Sequence, residues 1–398
     1  MDKMADVLGR AGAWCGQNKY LSAIKNAFQN FMPLTIAGAI GVLWCNVLVN
    51  DQTGLGIFFK PIMALDFLNP AFQAVNFCTI SCITVGITLG IAQEIGVWNM
   101  GAEKAGYIPG LVGLAAWLSV TNTSHMVEGA KEAFTGIAGN ELGATGLFTG
   151  MIIGVLSVEL FCFFEKQDAL KIKMPEQVPP GVARAFEVLV PATITLIITA
   201  CIGSACYNLT GLYLNDVIKN GIQGPLGAVG ATIPGVMIIY LVIMLFWLVG
   251  IHGNNMLSAV KEALFTPLAL ENVEKFNKGE KPTNIINMYF LQMCGEFGGS
   301  GVTIGLVIAI MIFGKREDNK AIASLSLVPG LFNINETVTF GIPMVLNPIL
   351  GIPFVFACLV TILVGYVLTV IGFCPVACLT VPWTTPPLVF GFLACGAS

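Results

Sequence analysis

Long apolar segments are the feature that most constrains this chain. We count about nine of them, each of roughly the 20 residues that an α-helix needs to cross a bilayer. Charged residues make up 11% of the 398 residues and hydrophobic residues 56%, whereas a soluble domain carries about 25% charged residues. The pattern predicts an all-α, polytopic integral membrane protein with nine to ten transmembrane helices. A β-barrel would instead show alternation over strands of about ten residues.

Composition excludes several other classes of protein. The net charge of −4 comes without any basic tract, so nucleic acid is not an expected partner. No phosphate-binding loop motif occurs, which argues against an ATP-driven pump. The 12 cysteines stand singly in apolar segments and the chain has 2 histidines. We therefore predict no metal site and no cofactor.

A basic, proline-rich segment near the middle of the chain divides it in two. Residues 166–184 combine lysines and an arginine with several prolines, which is typical of a cytoplasmic loop under the positive-inside rule. We predict an N-terminal half, 1–180, and a C-terminal half, 181–398, joined by this basic linker. An internal repeat supports the division, because Pro33 and Pro191 each follow an Ala-Phe pair at the same offset. Parallel repeats of this kind occur in transporters.

The stretch Gly330–Pro348, GLFNINETVTFGIPMVLNP, carries polar side chains inside apolar sequence. Asn333, Asn335 and Glu336 stand close to several glycines and prolines. A carboxylate at membrane depth is costly and normally faces a cavity, with a partner. Glycine and proline at this density indicate a broken helix or a re-entrant hairpin. The alternative is a short loop at the membrane surface, where these side chains cost nothing.

A second polar cluster follows the apolar segment that contains Trp247. His252, Asn254 and Asn255 stand there, with Pro267 further along, in IHGNNMLSAVKEALFTPLAL. We predict a second re-entrant element at this point. Taken alone, His252 fits an interfacial histidine whose hydrogen bonds are satisfied. Its clustering with amides and a tryptophan favours a binding role.

Together these polar groups have the chemistry that binds a sugar. Amides donate to and accept from hydroxyls, and a carboxylate accepts from two hydroxyls. An aromatic ring packs against the apolar face of a pyranose, and a histidine can orient the carboxylate or donate to a hydroxyl. The predicted sugar-binding residues are Trp247, His252, Asn254, Asn255, Gln292, Asn335, Glu336 and Trp383.

Four motifs give the chain a family resemblance. FNINETVTFGIPMVLNPILGIPF, LFWLVGIHGNNML, MPEQVPPGVARAF and VPWTTPP resemble the membrane IIC component (EIIC) of the bacterial sugar phosphotransferase system (PTS). The chain is most similar to the branch that carries β-linked disaccharides of the lactose, cellobiose and diacetylchitobiose type. The resemblance implies a multi-pass homodimer in the bacterial inner membrane. It also implies an N-terminal dimerisation half and a C-terminal substrate half with two re-entrant hairpins.

The resemblance further implies partners and residue roles. The sugar is expected to be carried inward and phosphorylated by the phosphocysteine of a separate EIIB protein, with EIIA upstream. His252 and the pair Asn335-Glu336 match the family's sugar-binding motifs, so Glu336 and His252 are candidates for positioning a sugar hydroxyl or accepting its proton. Trp383 is similar to a sugar-stacking position. Members usually continue past VPWTTPP into a last span, so we expect a helix to be missing after Ser398.

Other functions stay open at this point. A proton-coupled secondary sugar transporter would use Glu336 and His252 as a proton relay and would need no phosphate donor. An incomplete or inactive copy would serve as a receptor or scaffold. An intramembrane enzyme is the weakest alternative, because no paired nucleophile and base motif occurs.

Overall fold

Helices account for nearly all of the regular structure. The computed structural model describes residues 2–51, 55–125, 134–175, 177–342, 344–345 and 347–396. Residues 343 and 346 of the predicted hairpin stretch lie outside this description, as do the last two residues of the chain. Within the described ranges the strands are limited to one antiparallel pair, β1 (Ser124–His125) and β2 (Phe134–Thr135). The predicted all-α class is confirmed.

The first part of the chain forms long helices separated by short turns. Proline stands in the first turn of several of them, where its missing N–H would have no helical partner anyway. The α-helices up to residue 210 are α1 (Asp2–Gln17), α2 (Lys19–Leu43), α3 (Asn69–Asn76), α4 (Ile83–Met100), α5 (Ala102–Ala105), α6 (Ile108–Val120), α7 (Gly139–Leu142), α8 (Ala144–Glu165) and α9 (Pro180–Thr210). Short 3₁₀ or π segments accompany them at Trp44–Leu48, Leu55–Ile57, Lys60–Leu68, Phe77–Ser81 and Asp168–Leu170.

The second part of the chain breaks into more and shorter helices, which fits its higher density of glycine and proline between apolar segments. A π segment at Lys219–Gln223 joins the first two of them. The α-helices are α10 (Leu214–Ile218), α11 (Gly224–Gly230), α12 (Ile233–Leu248), α13 (Gly253–Met256), α14 (Ser258–Asn277), α15 (Met288–Gly295), α16 (Thr303–Phe313), α17 (Glu317–Leu331), α18 (Glu336–Gly341), α19 (Pro348–Val370) and α20 (Pro387–Ala394).

The helices group into two compact units. Unit 1 comprises Met1–Gln17, Leu34–Cys78 and Leu226–Ser398. Unit 2 comprises Asn18–Pro33 and Thr79–Pro225. The predicted functional halves, with their boundary at 180/181, stay a prediction.

Unit 2 is built on three closely packed helices, α4, α6 and α8. Trp117 of α6 is fully buried and packs with Ala116, Val120 and Ile153. Small residues let membrane helices approach closely, and the resulting van der Waals contacts hold the helices together where lipid removes the hydrophobic driving force. The glycines that the sequence places along α8 thus lie in the interior of this unit, where Gly150 and Gly154 both face Thr88.

Four described helical segments are long and apolar enough to cross a membrane. They are Lys19–Leu48, Ala144–Glu165, Pro180–Thr210 and Ile349–Val370. Counting each of two bent helix pairs as one span raises the number to six, so the predicted nine to ten are not confirmed. The difference has a physical cause in helix breaks. The apolar residues 285–313, for example, are divided by a glycine-rich turn into α15 and the 11-residue α16.

Candidate functional site

Three helix breaks of unit 1 meet at one polar cavity of about 360 Å³. The first break lies between α12 and α13, the second between α15 and α16, and the third between α17 and α18. The cavity is within the range of about 300–1,000 Å³ that small-molecule sites occupy. Seven of the eight predicted sugar-binding residues line it: His252, Asn254, Asn255, Gln292, Asn335, Glu336 and Trp383.

The first break is shaped by glycine and capped by His252. Gly250 has a φ of +82°, which glycine adopts without steric cost. A Cβ on Gly253 would lie 2.0 Å from the carbonyl oxygen of Ile243, so only glycine lets the start of α13 pack on the backbone of α12. His252 then caps α13, because its Nδ1 accepts a hydrogen bond of 3.2 Å from the N–H of Asn255.

That cap determines which way His252 faces the cavity. An Nδ1 that accepts a hydrogen bond carries no proton, so the neutral ring has its hydrogen on Nε2. Nε2 lies 3.6 Å from Oε1 of Glu336, and both side chains are partly exposed. The ring therefore presents an N–H toward the Glu336 carboxylate, and the role of His252 in orienting Glu336 stays a prediction.

The second break is a glycine turn, Gly295–Gly301, that carries three positive φ angles. Gly298, Gly299 and Gly301 have φ values of +68°, +92° and +76°. A Cβ on Gly299 would lie 2.4 Å from Cβ of Asn335. The turn is therefore confined to glycine both by its backbone conformation and by the neighbouring break.

Asn335 joins the second and third breaks by a side-chain hydrogen bond. Its Nδ2 donates to the carbonyl oxygen of Ser300 at 2.8 Å and to Oγ1 of Thr339 at 3.2 Å. The side chain is almost fully buried. Asn335 lines the cavity, but its amide N–H groups already donate to Ser300 and Thr339.

Asn333 joins the glycine turn to the segment that carries Trp383. It adopts the left-handed conformation with a φ of +62°, which asparagine tolerates better than most residues. Its Oδ1 accepts from the N–H of Gly298 at 2.6 Å. Its Nδ2 donates to the carbonyl oxygens of Trp383 and Thr385. One amide thus positions the tryptophan at the cavity.

Trp247 is the predicted residue that does not line the cavity. It is fully buried, with its ring centroid 4.4 Å from that of His252 and 6.3 Å from that of Phe340. It therefore supports the ring of His252 from behind. Its predicted contact with a sugar stays a prediction, and the placement favours the supporting role.

Five lining residues are absent from the predicted sugar-binding set: Glu296, Gly299, Ser300, Asn333 and Ile334. Glu296 and the glycines around it stand in GEFGGSG, whose signal was a carboxylate inside a glycine-rich break. Its partners are distant in sequence, since Oε1 of Glu296 accepts from the hydroxyl of Tyr240 at 2.7 Å and from Nζ of Lys261.

Asn254 lines the cavity and is bonded through one end of its amide. Its Nδ2 donates to Oγ of Ser300 at 3.0 Å, whereas its buried Oδ1 has no hydrogen-bond partner among the described residues. A buried polar atom without a partner is costly, and a bound hydroxyl would remove that cost. Among the described residues, the cavity included, no group of three or more His, Cys, Asp or Glu side chains is arranged to hold a metal ion.

Comparisons with known proteins show which family the chain resembles. The sequence model of the family "Phosphotransferase system, EIIC" matches residues 25–358. The chain is 33% identical over 398 residues to the PTS system oligo-beta-mannoside-specific EIIC component of Bacillus subtilis (strain 168), covering 99% of this chain and 87% of that protein. It is 28% identical over 452 residues to the PTS system cellobiose-specific EIIC component of Lactococcus lactis subsp. lactis (strain IL1403), covering 99% and 91%.

A solved structure shares the fold. The crystal structure of the transporter ChbC, the IIC component from the N,N'-diacetylchitobiose-specific phosphotransferase system, superposes with a TM-score of 0.88 at 30% sequence identity. The match covers 97% of this chain and 89% of that chain. The family match spans well over half of the sequence, and the sequence and structure comparisons agree with it. This multi-pass integral membrane protein belongs to the phosphotransferase system EIIC family.

Proposed function

We propose that this EIIC protein binds a β-linked disaccharide of the cellobiose, diacetylchitobiose or lactose type in the cavity of unit 1. It carries the sugar inward and presents it to a separate phosphorylated EIIB. The pairing of Glu336 with His252 at the cavity carries this proposal. The names of the relatives, which include cellobiose- and oligo-beta-mannoside-specific components, support a β-linked sugar as the class of substrate.

The lining residues supply the contacts that a disaccharide needs. Trp383 keeps 42% of its surface exposed and offers a face on which a pyranose ring can pack. Glu336 and Oδ1 of Asn254 accept hydrogen bonds from hydroxyls, and the amide of Gln292 both donates and accepts. A neutral, hydroxyl-rich ligand matches this set better than an apolar one.

The chemistry that we expect is phosphoryl transfer to one sugar hydroxyl, the one at C6. The S–P bond of the EIIB phosphocysteine breaks, the O–P bond to the sugar forms, and the cysteine leaves as a thiolate. Glu336 accepts the hydroxyl proton or hydrogen-bonds the hydroxyl in line, and Nε2–H of His252 orients the carboxylate. Such transfers depend mainly on alignment and charge stabilisation. The phosphorylated product is charged and is trapped inside.

The protein is expected to work in a membrane and together with partner proteins. We place it in the bacterial cell membrane as a homodimer, with EIIB as its direct partner and EIIA upstream. No resident cofactor is needed on this chain, because the phosphoryl group comes from EIIB.

The test is uptake of labelled cellobiose and diacetylchitobiose into membrane vesicles that contain the protein. One set of vesicles receives EIIB charged from phosphoenolpyruvate, and the other receives EIIB whose active cysteine is replaced by serine. We expect phosphorylated sugar to accumulate only in the first set. Accumulation of unmodified sugar that follows a proton gradient in both sets would contradict the proposal and indicate a secondary transporter.

A further inference from the structure

The cavity contains a second carboxylate, Glu296, which is held by two buried donors. Glu296 stands directly after α15 and lines the cavity. The hydroxyl of Tyr240 donates to its Oε1 at 2.7 Å, and Nζ of Lys261 contacts the same oxygen. Tyr240 is 1% exposed and Lys261 6% exposed. These three residues, which we call the Glu296 triad, lie on three different elements.

The triad pairs a buried lysine with a carboxylate. Nζ of Lys261 also lies 5.7 Å from the centroid of the Tyr240 ring, within reach of a cation–π interaction. Removing one partner of a buried ion pair is strongly destabilising, because the other charge is left uncompensated. Gly295 permits the arrangement, since a Cβ there would lie 2.8 Å from Cε1 of Tyr240.

The geometry of the triad leaves one oxygen of Glu296 available. Both buried donors use Oε1, and no hydrogen bond or ion pair among the described residues uses Oε2. The side chain keeps 18% of its surface exposed, at the cavity. A carboxylate with one oxygen fixed by charge and the other facing a cavity is a pre-oriented hydrogen-bond acceptor.

We propose that Glu296 is a second sugar-binding carboxylate, whose Oε2 accepts from a hydroxyl different from the one at Glu336. Lys261 and Tyr240 are positioning residues, which fix Glu296 and compensate its charge without contacting the sugar. This inference rests on the proposed function, because it takes a disaccharide as the occupant of the cavity. It divides recognition between two carboxylates on two different helix breaks.

The test measures binding of cellobiose and its monodeoxy analogues to the full-length, detergent-purified protein by titration calorimetry. We expect Glu296→Gln to weaken cellobiose binding by roughly 10- to 100-fold, the range for a lost hydrogen bond to a charged group. The loss should disappear for the one analogue that lacks the hydroxyl bound by Glu296. Glu336→Gln should give the same pattern with a different analogue.

The positioning residues are tested with paired variants. Lys261→Met should lower both the melting temperature and the affinity. The double variant Lys261→Met/Glu296→Gln should recover the melting temperature but bind cellobiose as weakly as Glu296→Gln. Lys261→Arg, which keeps the charge, should retain the analogue pattern of the wild-type protein.

Two outcomes separate this inference from the proposed function. If the wild-type protein binds cellobiose but Glu296→Gln leaves affinity unchanged, or weakens binding of every analogue equally, Glu296 has no hydroxyl of its own and the inference is overturned. If the wild-type protein binds no disaccharide in the panel, and vesicle uptake also fails, the proposed function is overturned and this inference with it.

Discussion

Glycine serves one purpose among the packed helices of unit 2 and another in the glycine turn of unit 1. In α6 and α8 of unit 2, glycines stand inside helices and let them pack closely. A Cβ on Gly113 would lie 2.3 Å from Cβ of Ala92, and one on Gly150 would lie 2.2 Å from Oγ1 of Thr88. In the glycine turn of unit 1, Gly298, Gly299 and Gly301 instead adopt positive φ angles that other residues rarely adopt.

Glycine packs helices together in the first case and shapes the cavity in the second. The glycines of α4, α6 and α8 act through van der Waals contact between regular helices, as is common in membrane proteins. The glycine turn interrupts a helix and places Ser300 and Glu296 at the cavity. Substitutions in unit 2 should therefore change stability, whereas substitutions at the helix breaks of unit 1 should change sugar binding.

The largest effect should come from the site itself. Glu336→Gln preserves shape but removes the charge that faces Nε2 of His252. We expect EIIB-dependent uptake to fall by at least about 100-fold, as for loss of a proton acceptor or a charged ligand. Glu317→Gln is the matched control, since that side chain is 87% exposed at the start of α17. Near-normal uptake by Glu336→Gln would contradict a role for Glu336 in binding or phosphorylation of the sugar.

Breaking the glycine turn should give the next largest effect. Gly299→Ala forces an alanine to a φ of +92° and places its Cβ against Asn335, at a cost of about 1–3 kcal/mol in backbone strain. We expect affinity for cellobiose to fall about 10-fold or more. Gly305→Ala is the control, because a Cβ there meets nothing within 4 Å. Equal affinities of the two variants would contradict a shape-determining role for the turn.

The matching change in unit 2 should leave binding intact. Gly150→Ala inserts a Cβ against Thr88 and Thr84, and overpacking of this kind typically costs 1–3 kcal/mol. We expect a lower melting temperature with cellobiose affinity unchanged. Gly181→Ala, where a Cβ meets nothing within 4 Å, should behave as wild type. A large loss of affinity in Gly150→Ala with an unchanged melting temperature would break the distinction between the units.

Sequence reasoning picked out seven residues that line one cavity, because polar residues are rare in this chain. Asn335, Glu336 and His252 stand in apolar sequence near glycine and proline, and a polar group there needs a cavity or a partner. Such a need is visible in the sequence without knowledge of tertiary contacts. The resemblance of the same motifs to the EIIC family led to the family that the comparisons confirm.

The remaining features depend on contacts between residues distant in sequence. Lys261 and Glu296 lie 35 positions apart, and Asn333 reaches a carbonyl 50 positions away at Trp383. Trp247 is amphipathic like Trp383, and only packing decides that one is buried and the other faces the cavity. The predicted number of spans is not confirmed for the same reason, since apolar composition does not show where a helix breaks.

The smallest expected effect concerns a single acceptor of the cavity. Asn254→Ala removes the buried Oδ1 that has no partner among the described residues and also the hydrogen bond from Nδ2 to Ser300. A neutral hydrogen bond contributes about 0.5–1.5 kcal/mol, so we expect cellobiose affinity to fall about 3- to 10-fold.

Ser300→Ala separates the two roles of Asn254, because it removes the partner of Nδ2 and leaves Oδ1 in place. If Oδ1 binds a sugar hydroxyl, Ser300→Ala should bind cellobiose more tightly than Asn254→Ala, and the double variant should bind like Asn254→Ala. Titration calorimetry of the three variants measures this order. Equal losses in both single variants would mean that Asn254 acts only by joining the first helix break to the glycine turn.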